Sequence, residues 1–593
     1  MPTVDGPFAL FDDDFGGALL LTGGRPLEFS ADIPARHVLA ELEATAKQGR
    51  WLAIAARYEL GGAFDPAATV KATPGRPPLI AWVFDEARTF DQSAVATFLD
   101  TCLAALPEEQ RLAGVAEMTC AVDRLRYGEQ VRQIRRWIAD GDCYQINLTF
   151  PLTFRVYGHP LSLYAGLRSR QPVRYGGCLI TEETTILSFS PELFFERRGD
   201  RVRTRPMKGT APRGATAEED DRARAGLLLS EKERAENVMI VDLLRNDLGR
   251  LAQPGRVRVE ALFATEAYPT LWQLVSTVSA DLPGVSLAEL FAALFPCGSI
   301  TGAPKLRAMQ RVAELEPLPR GLYTGAFGWL APNGDCRFNV AIRTLEFDGG
   351  TQGRLGVGSG IVAEADPAGE YAECILKARF LTGYDPGFAL VETLRLEDGV
   401  FPRLAGHLHR LRSSADALGF VCDLPAIVAA LHRQADSRPQ GVFRVRLTLT
   451  HAGEHRLLAE PFLPPSDRAW RVVLAQHLLD ADNYLLRHKT TARAAYERAL
   501  AAVAGRPEVF DVIFLNARGE VCEGARSNLF VEREGRLLTP PLSCGLLPGV
   551  LRQSLLDAGR ASEQVLWPTD LRAGGQVFVG NALRGLLPVE VEG

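Results

Sequence analysis

Lysine is scarce in this sequence. Only seven of the 66 basic residues are lysine, and beyond residue 378 Lys489 is the single one among many arginines. Arginine serves wherever a permanent positive charge is wanted, but its guanidinium does not deprotonate in proteins. A primary amine that attacks carbon must therefore come from lysine. Lys208 in RPMKGTAPRG and Lys489 in RHKTTAR are accordingly candidates for covalent chemistry.

Histidine and cysteine are also limited. Only two of the nine histidines precede residue 407, so acid–base chemistry in the first two-thirds of the chain is expected to use carboxylates, lysine or water. The ten cysteines include no CxxC pair and no Cys/His ligand spacing. This argues against a zinc site and against a disulfide scaffold, and a reducing cytosol is the compartment we expect.

Long apolar runs and a strong net charge are missing as well. No run approaches the roughly 18 residues of a membrane span. The start, MPTVDGPFALFDDDFGG, lacks the basic region of a signal peptide. The net charge of −6 gives no footprint for nucleic acid or an anionic membrane. We expect a soluble cytoplasmic enzyme.

The length predicts more than one domain. A chain of 593 residues exceeds a single hydrophobic core. Helical runs near 93–113, 126–140, 217–250 and 285–296 alternate with short β-rich runs, which predicts an α+β domain of large sheets packed by helices. The turn-rich TGYDPGF at 382–388 ends this pattern, and a new strand–helix–strand pattern follows. The predicted domains are 1–383, with a divergent part at 1–120 and a motif-bearing core at 121–383, and 384–593.

Two glutamate pairs lie at a helical spacing. Glu233 and Glu236 are three residues apart in one predicted helix, and Glu370 and Glu373 repeat this in another. Each pair therefore shares one helix face. Two such helices could hold Mg²⁺, which favours a few carboxylates together with water and an anionic substrate. Such pairs are more often a solvated face, and the spacing alone leaves both interpretations open.

Glycine-rich and charged stretches surround these pairs. FPCGSITGAPK at 295–305 and GVGSGIV at 356–362 are interpreted as turns whose backbone N–H groups can meet carboxylates. NVAIRTLEF is expected to place Arg343 on a strand, where its fork suits a carboxylate. Glu192 stands in SPELFFE, and Lys208 is expected in a turn.

These stretches carry a family resemblance. GDCYQINLTFPL, SFSPELFFE, RPMKGTAPRG, KERAENVMIVDLLRNDLGR, FPCGSITGAPKLRAM, RGLYTGAFGWL, FNVAIRT and GVGSGIVAEADPAGEYAE resemble, in order, the motifs of chorismate-utilising enzymes. The family includes anthranilate, aminodeoxychorismate, isochorismate and salicylate synthases. The resemblance implies an antiparallel α/β fold and Mg²⁺ held by Glu236 and Glu373, with Glu233 and Glu370 supporting through water. The residues it implies for binding substrate are Arg343, Tyr323, Thr301, Gly358, Gly360 and Lys377.

One position in these motifs separates activities. Anthranilate and isochorismate synthases usually carry alanine before "GT", whereas aminodeoxychorismate synthases carry lysine, and this chain reads PMKGT. The resemblance implies that Lys208 adds to chorismate as a nucleophile and that Glu192 is the general acid for the leaving hydroxyl. No cysteine lies in a glutaminase motif such as GxCxGxQ. The ammonia is therefore expected from solution or, preferably, from a separate glutamine amidotransferase subunit.

The last 205 residues resemble a second family. FALVETLRL, HLHRL, RHKTTAR, VCEGARSNLF, LLPGVLRQSLL and FVGNALRGLLPV resemble the class IV, branched-chain-type fold of pyridoxal-phosphate enzymes, which houses transaminases and aminodeoxychorismate lyase. The resemblance implies a Schiff base at Lys489 and a dimer through this domain. Tyr496 is near a tyrosine position of some relatives but is expected to be out of register. The further cofactor residues it implies are Glu523 at the pyridinium nitrogen, and Arg410, Leu547, Val550 and Asn581 around the phosphate.

The two halves together predict a bifunctional enzyme. The first would convert chorismate and ammonia to 4-amino-4-deoxychorismate, and the second would eliminate pyruvate to give 4-aminobenzoate, the arene of folate. Three alternatives remain. The halves could be an anthranilate synthase and a D- or branched-chain amino acid transaminase, one half could be inactive, or the protein could bind chorismate without catalysis.

Overall fold

The computed structural model describes residues 6–13, 16–29, 33–72, 75–268, 271–347, 349–463, 469–572 and 575–592. The chain divides into two compact units. The first unit comprises residues 1–111 and 118–384, and the second comprises 112–117 and 385–593. The division near residue 384 lies beside the predicted domain boundary, whereas the short segment 112–117 was not anticipated.

The first unit is built on an antiparallel sheet of 18 strands, and its helices lie between and beside them. The strands are β1 (Phe8–Asp12), β2 (Ala18–Leu27), β3 (Trp51–Ala56), β4 (Leu79–Phe90), β5 (Gly114–Cys120), β6 (Gln145–Tyr157), β7 (Gly177–Ile180), β8 (Thr185–Ser188), β9 (Leu193–Arg198), β10 (Arg201–Arg205), β11 (Met207–Pro212), β12 (Val257–Ala267), β13 (Leu271–Asp281), β14 (Gly302–Ala303), β15 (Ala326–Leu330), β16 (Cys336–Val340), β17 (Thr344–Phe347) and β18 (Gln352–Ile361). The helices are α1 (Ala35–Lys47), α2 (Gln92–Ala105), α3 (Glu108–Arg111), α4 (Arg124–Ala139), α5 (Pro160–Arg170), α6 (Ala217–Leu229), α7 (Glu231–Gly249), α8 (Leu287–Leu294), α9 (Lys305–Leu315) and α10 (Pro367–Thr382). The antiparallel fold expected from the sequence is confirmed.

Apolar side chains hold this unit together. Phe194, Phe195, Phe291 and Phe338 are buried in one cluster, with ring centroids 5.0–6.2 Å apart. Edge-on and tilted ring contacts of this kind stabilise the fold beyond the contribution from buried apolar area. The helix α8 supplies Phe291 while β9 and β16 supply the others, so the cluster fixes the loop just before β9.

Side chains complete the sheet edge near the predicted glycine motif. The strand β18 pairs with β6 from Gln352↔Arg155 to Ile361↔Ile146. On the other edge of β6 the short β14 ends at Ala303. Beyond it, Glu316 accepts the N–H of Thr149 at 2.9 Å, and Arg320 donates to the carbonyl oxygen of Asn147 at 2.7 Å. The Glu316–Arg320 pair thus takes the place of a neighbouring strand.

Three local predictions were wrong, and one predicted helix is divided in two. GVGSGIV is not a turn, because residues up to Ile361 belong to β18 and find their partners in β6. Lys208 is not in a turn but in β11, opposite β13. Arg343 is not on a strand: it lies between β16 and β17 with a left-handed φ of 49°. The predicted run 217–250 is two helices, divided at Ser230, whose side chain caps α7.

The second unit contains two smaller sheets. One has three strands, β19 (Leu390–Glu397), β20 (Val442–Leu449) and β21 (His455–Pro461). The other has eight, β22 (Trp470–Leu474), β23 (Val509–Leu515), β24 (Val521–Gly524), β25 (Asn528–Arg533), β26 (Arg536–Thr539), β27 (Ala561–Glu563), β28 (Val577–Asn581) and β29 (Gly585–Glu592). The helices are α11 (Leu404–Leu418), α12 (Leu424–Asp436), α13 (Ala494–Ala502) and α14 (Val550–Asp557). Within the described ranges of both units, no helix is long and apolar enough to cross a membrane.

Candidate active sites

Lys208 and Glu192 are electrostatic neighbours in the first unit. Glu192 lies just before β9 and is 4% exposed. Ser299 Oγ donates a hydrogen bond to its Oε1 at 2.7 Å. Burial raises the pKa of Glu192 to about 7, while Ser299 and the lysine amine oppose the rise. A carboxyl group in this range is protonated in part near neutral pH and can donate a proton.

The backbone at Lys208 departs from regular pairing. The register of β11 on β13 shifts between Met207 and Thr210, and Gly209 has a φ of +86°. A Cβ at Gly209 would stand 2.9 Å from a carboxylate oxygen of Glu233, so glycine allows β11 to approach α7. Burial lowers the pKa of Lys208, a change that Glu236 and Glu192 oppose and Lys377 reinforces. A larger fraction of the amine is therefore neutral and nucleophilic.

The four predicted metal carboxylates lie on α7 and α10 and act on one another. Burial raises the pKa of Glu233, and the charges of Glu236 and Glu373 add to this. Burial also raises the pKa of Glu370, opposed by a hydrogen bond from Ser359 and reinforced by Glu373. Helical spacing set each pair on one face, and the fold brings the two faces within electrostatic reach.

The negative charge of these four carboxylates would attract a divalent cation. Their oxygens are, however, not arranged as a coordination shell. Carboxylate oxygens are the hard ligands that Mg²⁺ prefers, and a cation would relieve their mutual repulsion. Over the ranges that the structure describes, no three acidic, cysteine or histidine side chains are close enough to hold a metal ion. Glu373 instead pairs with Lys377 at 2.8 Å, and this exposed pair would have to open.

The glycine motif forms a close-packed cradle. A Cβ at Gly358 would lie 2.6 Å from the carbonyl oxygen of Leu148, and one at Gly360 would lie 2.4 Å from the Gln145 side-chain nitrogen. Gln145 Oε1 is buried and has no hydrogen-bond partner among the residues that the structure describes. Lys377 Nζ donates to the carbonyl oxygen of Gly358 at 2.9 Å, so it lies next to the cradle. Only glycine permits this close approach of neighbouring atoms.

The other predicted substrate residues differ in availability. Tyr323 lies against Gly356, where a Cβ would reach within 2.0 Å of its ring. Tyr323 also lines a small pocket together with Arg320 and Arg354. Arg343 is half-buried, and burial lowers the pKa of its guanidinium. Thr301 is fully buried and its hydroxyl donates to the carbonyl oxygen of Cys297 at 2.8 Å, so that hydroxyl is already engaged.

Lys489 is the central group of the second unit. Its carbonyl oxygen accepts the N–H of Val391 at 2.8 Å, which ties it to the beginning of β19. Burial lowers the pKa of its amine to about 7, and Arg410 and Arg493 add to this, while Glu392 and Glu523 oppose it. The amine is thus prepared for addition to a carbonyl group near neutral pH.

Glu523 is held from three directions. Tyr496 OH donates to Oε1 at 2.8 Å, and the Leu547 N–H and Asn528 Nδ2 donate to Oε2 at 3.1 and 3.3 Å. Burial raises its pKa to about 7 against these hydrogen bonds and the charges of Arg493 and Lys489. The role of Tyr496 in holding Glu523 was missed by sequence reasoning. The Leu547 N–H, expected to be free for a phosphate, is occupied by Glu523.

Arg410 belongs to a buried charge network. It donates to both oxygens of Glu392 at 2.8 and 2.6 Å, and His407 Nδ1 is 2.7 Å from the same carboxylate. Burial alone would raise the pKa of Glu392, but Arg410 and His407 lower it to about 2. Arg410 also donates to the Pro548 carbonyl oxygen at 3.2 Å, which places it beside the start of α14. Sequence reasoning missed Glu392, although it stands in the quoted FALVETLRL.

The remaining predicted phosphate residues lie on α14 and β28. Val550 is the first residue of α14, whose N-cap Gly549 provides no side-chain hydrogen bond. The first N–H groups of a helix are then available to an anion. Asn581 ends β28, and its side chain is used locally, because it donates to the Arg526 carbonyl oxygen at 2.9 Å and accepts the Arg584 N–H at 3.0 Å.

These residues fit pyridoxal phosphate in their chemistry. A lysine of lowered pKa, a carboxylate fixed for a ring nitrogen and an arginine beside a helix start are the groups that the cofactor requires. Within the described part of the chain, the buried His407 Nε2 has no hydrogen-bond partner, which leaves one further donor or acceptor beside Arg410.

Comparison with known proteins follows the same division. Residues 27–383 match the family model described as chorismate binding enzyme, and residues 389–591 match amino-transferase class IV. Aminodeoxychorismate synthase component 1 of Bacillus subtilis is 43% identical over 253 residues, which is 42% of this chain and 54% of that protein. Anthranilate synthase component 1 of Thermus thermophilus is 42% identical over 273 residues, which is 46% of this chain and 59% of that protein. The chain thus spans just over half the length of these curated relatives.

A solved structure shares the fold of the first region. The crystal structure of anthranilate synthase component I from Streptococcus pneumoniae has a TM-score of 0.52 and 26% identity, and the match covers 63% of this chain and 90% of that one. The two curated relatives carry different activities at nearly equal identity. The activity must therefore be argued from the residues of the site.

Proposed function

From the premise that this chain belongs to the chorismate binding enzyme family and carries a class IV aminotransferase domain, we propose that it makes 4-aminobenzoate from chorismate. The first unit exchanges the 4-hydroxyl of chorismate for an amino group, and the second releases pyruvate. The observation that carries the proposal is the pair formed by Lys208 and Glu192: a lysine amine of lowered pKa beside a carboxyl group whose pKa is about 7.

Lys208 acts as the nucleophile and Glu192 as the general acid in the first reaction. The neutral amine of Lys208 adds at C2 of chorismate, both ring double bonds shift, and the C4–O bond breaks. Glu192 gives its proton to the departing hydroxyl, which leaves as water. Ammonia then adds at C4, both double bonds shift back, and Lys208 leaves C2 as a neutral amine. One proton of the new C4 ammonium returns to the Glu192 carboxylate, so both residues regain their starting states.

The other residues of the first unit hold the substrate. The backbone of the Gly358–Gly360 cradle, with Arg343 and Tyr323, receives the two carboxylates. Bound Mg²⁺, held by Glu236 and Glu373 with Glu233 and Glu370 nearby, would neutralise substrate charge. Lys377 would turn from Glu373 toward the cradle, where it already contacts Gly358.

A separate glutamine amidotransferase is the proposed ammonia source. The chain lacks a glutaminase cysteine motif. The relative from Bacillus subtilis is itself named as component 1, which supports an enzyme of more than one component. Each of the ten cysteines is a free thiol, which is compatible with the cytoplasmic location that we propose. Dimerisation through the second unit is also a proposal, and sedimentation of the purified protein tests it.

Lys489 and Glu523 carry the second step. Pyridoxal phosphate, when bound, supplies an electron sink for charge that develops on the substrate. Lys489 is the residue that would hold it covalently, and Glu523 would face its ring nitrogen. With the cofactor bound, Lys489 Nζ would take the proton from C4 of the substrate. The electrons left at C4 make the ring aromatic as the C3–O bond breaks, and pyruvate departs with a proton from solvent.

Product identification tests the proposal. Purified protein loaded with pyridoxal phosphate is incubated with chorismate, Mg²⁺ and an ammonium salt, and the products are identified by mass. We expect 4-aminobenzoate and pyruvate in equal amounts. Anthranilate would favour the second candidate, an anthranilate synthase joined to a transaminase, which the near-equal identity to the Thermus thermophilus protein keeps open. Accumulated aminodeoxychorismate would reject the lyase step alone.

A further inference from the structure

Two arginines of the second unit lie close to the same aromatic ring, Phe510. Arg584 is half-buried, and Arg526 is exposed. Among the residues that the structure describes, neither guanidinium has an ion pair or a side-chain hydrogen bond. Their recorded side-chain contacts are with aromatic rings: Arg584 lies 5.6 Å from the centroids of Phe462 and Phe510, and Arg526 lies 5.8 Å from that of Phe510.

Two arginines and one aspartate act on Arg584, and one of these arginines, Arg444, is itself paired with Glu460. Burial lowers the pKa of its guanidinium, the charges of Arg526 and Arg444 add to this, and Asp511 opposes it. Asp511 is fully buried and is used by the turn, since it accepts the Ser527 hydroxyl at 2.5 Å and two backbone N–H groups. Two cations at the same ring, with the Asp511 carboxylate already engaged, form a place where an anion would be stabilised.

Hydrogen bonds connect the two backbone segments that carry these arginines. Arg526 is in the turn between β24 and β25, and Arg584 follows β28. Asn581 connects them, because its side-chain nitrogen donates to the Arg526 carbonyl oxygen at 2.9 Å and its side-chain oxygen accepts the Arg584 N–H at 3.0 Å. A pair fixed in this way loses little conformational freedom when it binds a ligand.

This arginine pair is connected to the Lys489 site in two ways. Arg526 follows Glu523 by three residues, and Glu523 is an electrostatic neighbour of Lys489. Arg444, the neighbour of Arg584, pairs in register with Arg395 of β19, the strand whose Val391 N–H is bound to the Lys489 carbonyl oxygen. The arginine pair and Lys489 are therefore linked through the same strands, β19, β20 and β24.

We propose that Arg526 and Arg584 form a carboxylate-binding site that orients the anionic substrate of the second unit. The proposal rests on the proposed function, because aminodeoxychorismate carries two carboxylates. Planar guanidinium groups match a carboxylate in bidentate geometry, and aromatic contacts hold them in place without neutralising them. The cofactor phosphate has its own candidate groups, Arg410 and the start of α14, so it does not require this pair.

The test measures binding at the second site alone. Pyridoxal-phosphate-loaded wild type, Arg584→Gln and Arg526→Gln are titrated with 4-aminobenzoate and with its uncharged amide, and the change in visible absorbance of the cofactor is followed. We expect each substitution to raise the dissociation constant of 4-aminobenzoate by about tenfold or more, since a charged hydrogen bond is lost. The constant for the amide should be unchanged. Arg412→Gln, which breaks an exposed 2.9 Å contact with Asp416 on α11, is the control and should leave both constants unchanged.

Each outcome has a defined meaning. Equal weakening of both ligands, or no weakening of either, overturns the proposal, as does a wild type that fails to bind 4-aminobenzoate. The cofactor content of each variant reports folding, and the exposed Arg526 provides the second variant if Arg584→Gln folds poorly. Selective loss of 4-aminobenzoate binding, in a protein that does not release pyruvate from aminodeoxychorismate, would keep this site and reject the proposed lyase function.

Discussion

Replacing Ser299 by alanine should raise the pKa of Glu192 and move the pH dependence of the first reaction. Ser299 Oγ donates to Glu192 Oε1 at 2.7 Å, and both side chains are buried, at 3% and 4% exposure. This hydrogen bond stabilises the ionised carboxylate. Removing it leaves the charged form buried with less support, so the pKa of Glu192 must rise further above about 7.

The size of the pKa change follows from the negative charge on the hydrogen-bond acceptor. A hydrogen bond to a charged group contributes about 1.5–3 kcal/mol, and 1.36 kcal/mol corresponds to one pH unit, so we expect a rise of about one to two pH units. Because Glu192 acts as the acid, the alkaline limb of kcat/KM for chorismate should move upward by that amount.

The assay is the pH profile of amination with saturating ammonium salt, with Ser299→Thr as the matched control. Threonine keeps the hydroxyl, so its alkaline limb should stay near that of the wild type. An alkaline limb that stays fixed in Ser299→Ala, with activity lowered equally at every pH, would refute the assignment of Glu192 as the acid. A downward movement would refute the direction of the electrostatic reasoning.

Three further predictions concern the two sites. Lys489→Ala should abolish pyruvate release and prevent covalent retention of pyridoxal phosphate, which mass spectrometry after borohydride reduction checks, while amination of chorismate continues. Chelation of divalent cations should stop amination and leave the lyase step intact, and Glu236→Gln should raise the Mg²⁺ concentration needed for half activity. Arg410→Met should lower the free energy of unfolding by about 3–5 kcal/mol, since it leaves the Glu392 carboxylate buried with His407 alone. Because folding lowers the pKa of Glu392 to about 2 from 4.5, its stabilisation is present above pH 4.5 and is lost as the pH falls toward 2, which acid unfolding of the wild type checks.

Helices in which apolar residues recur at helical spacing could be predicted from the sequence. The helix run at 126–140 corresponds to α4 and the run at 285–296 to α8, since apolar side chains recur at helical spacing there. The glutamate pairs on α7 and α10 were also placed on helices. The glycine-rich run at 356–361 was taken for a turn because glycine commonly marks one. In β18, however, the glycines make room for neighbouring side chains, a long-range requirement that no local pattern contains.

The residues that position the site were harder to predict. Ser299 and Glu392 stand inside quoted motifs, but their partners Glu192 and Arg410 are distant in sequence, at separations of 107 and 18 residues. Tyr496 was set aside because one particular contact was sought, whereas its hydroxyl binds Glu523. Hydrogen bonds of this kind depend on tertiary packing. The sequence motifs could therefore indicate the reactive residues but not the residues that hydrogen-bond to them.

The central claim is that one chain carries two successive reactions on chorismate, one at Lys208 and one at Lys489. The most direct measurement incubates Lys489→Ala with chorismate, Mg²⁺ and ¹⁵N-ammonium, removes the protein by filtration, and gives the filtrate to Lys208→Ala loaded with pyridoxal phosphate. The account predicts labelled aminodeoxychorismate in the first filtrate, and labelled 4-aminobenzoate with pyruvate only after the second protein is added. Anthranilate in the first filtrate, or 4-aminobenzoate made by Lys489→Ala alone, would contradict it.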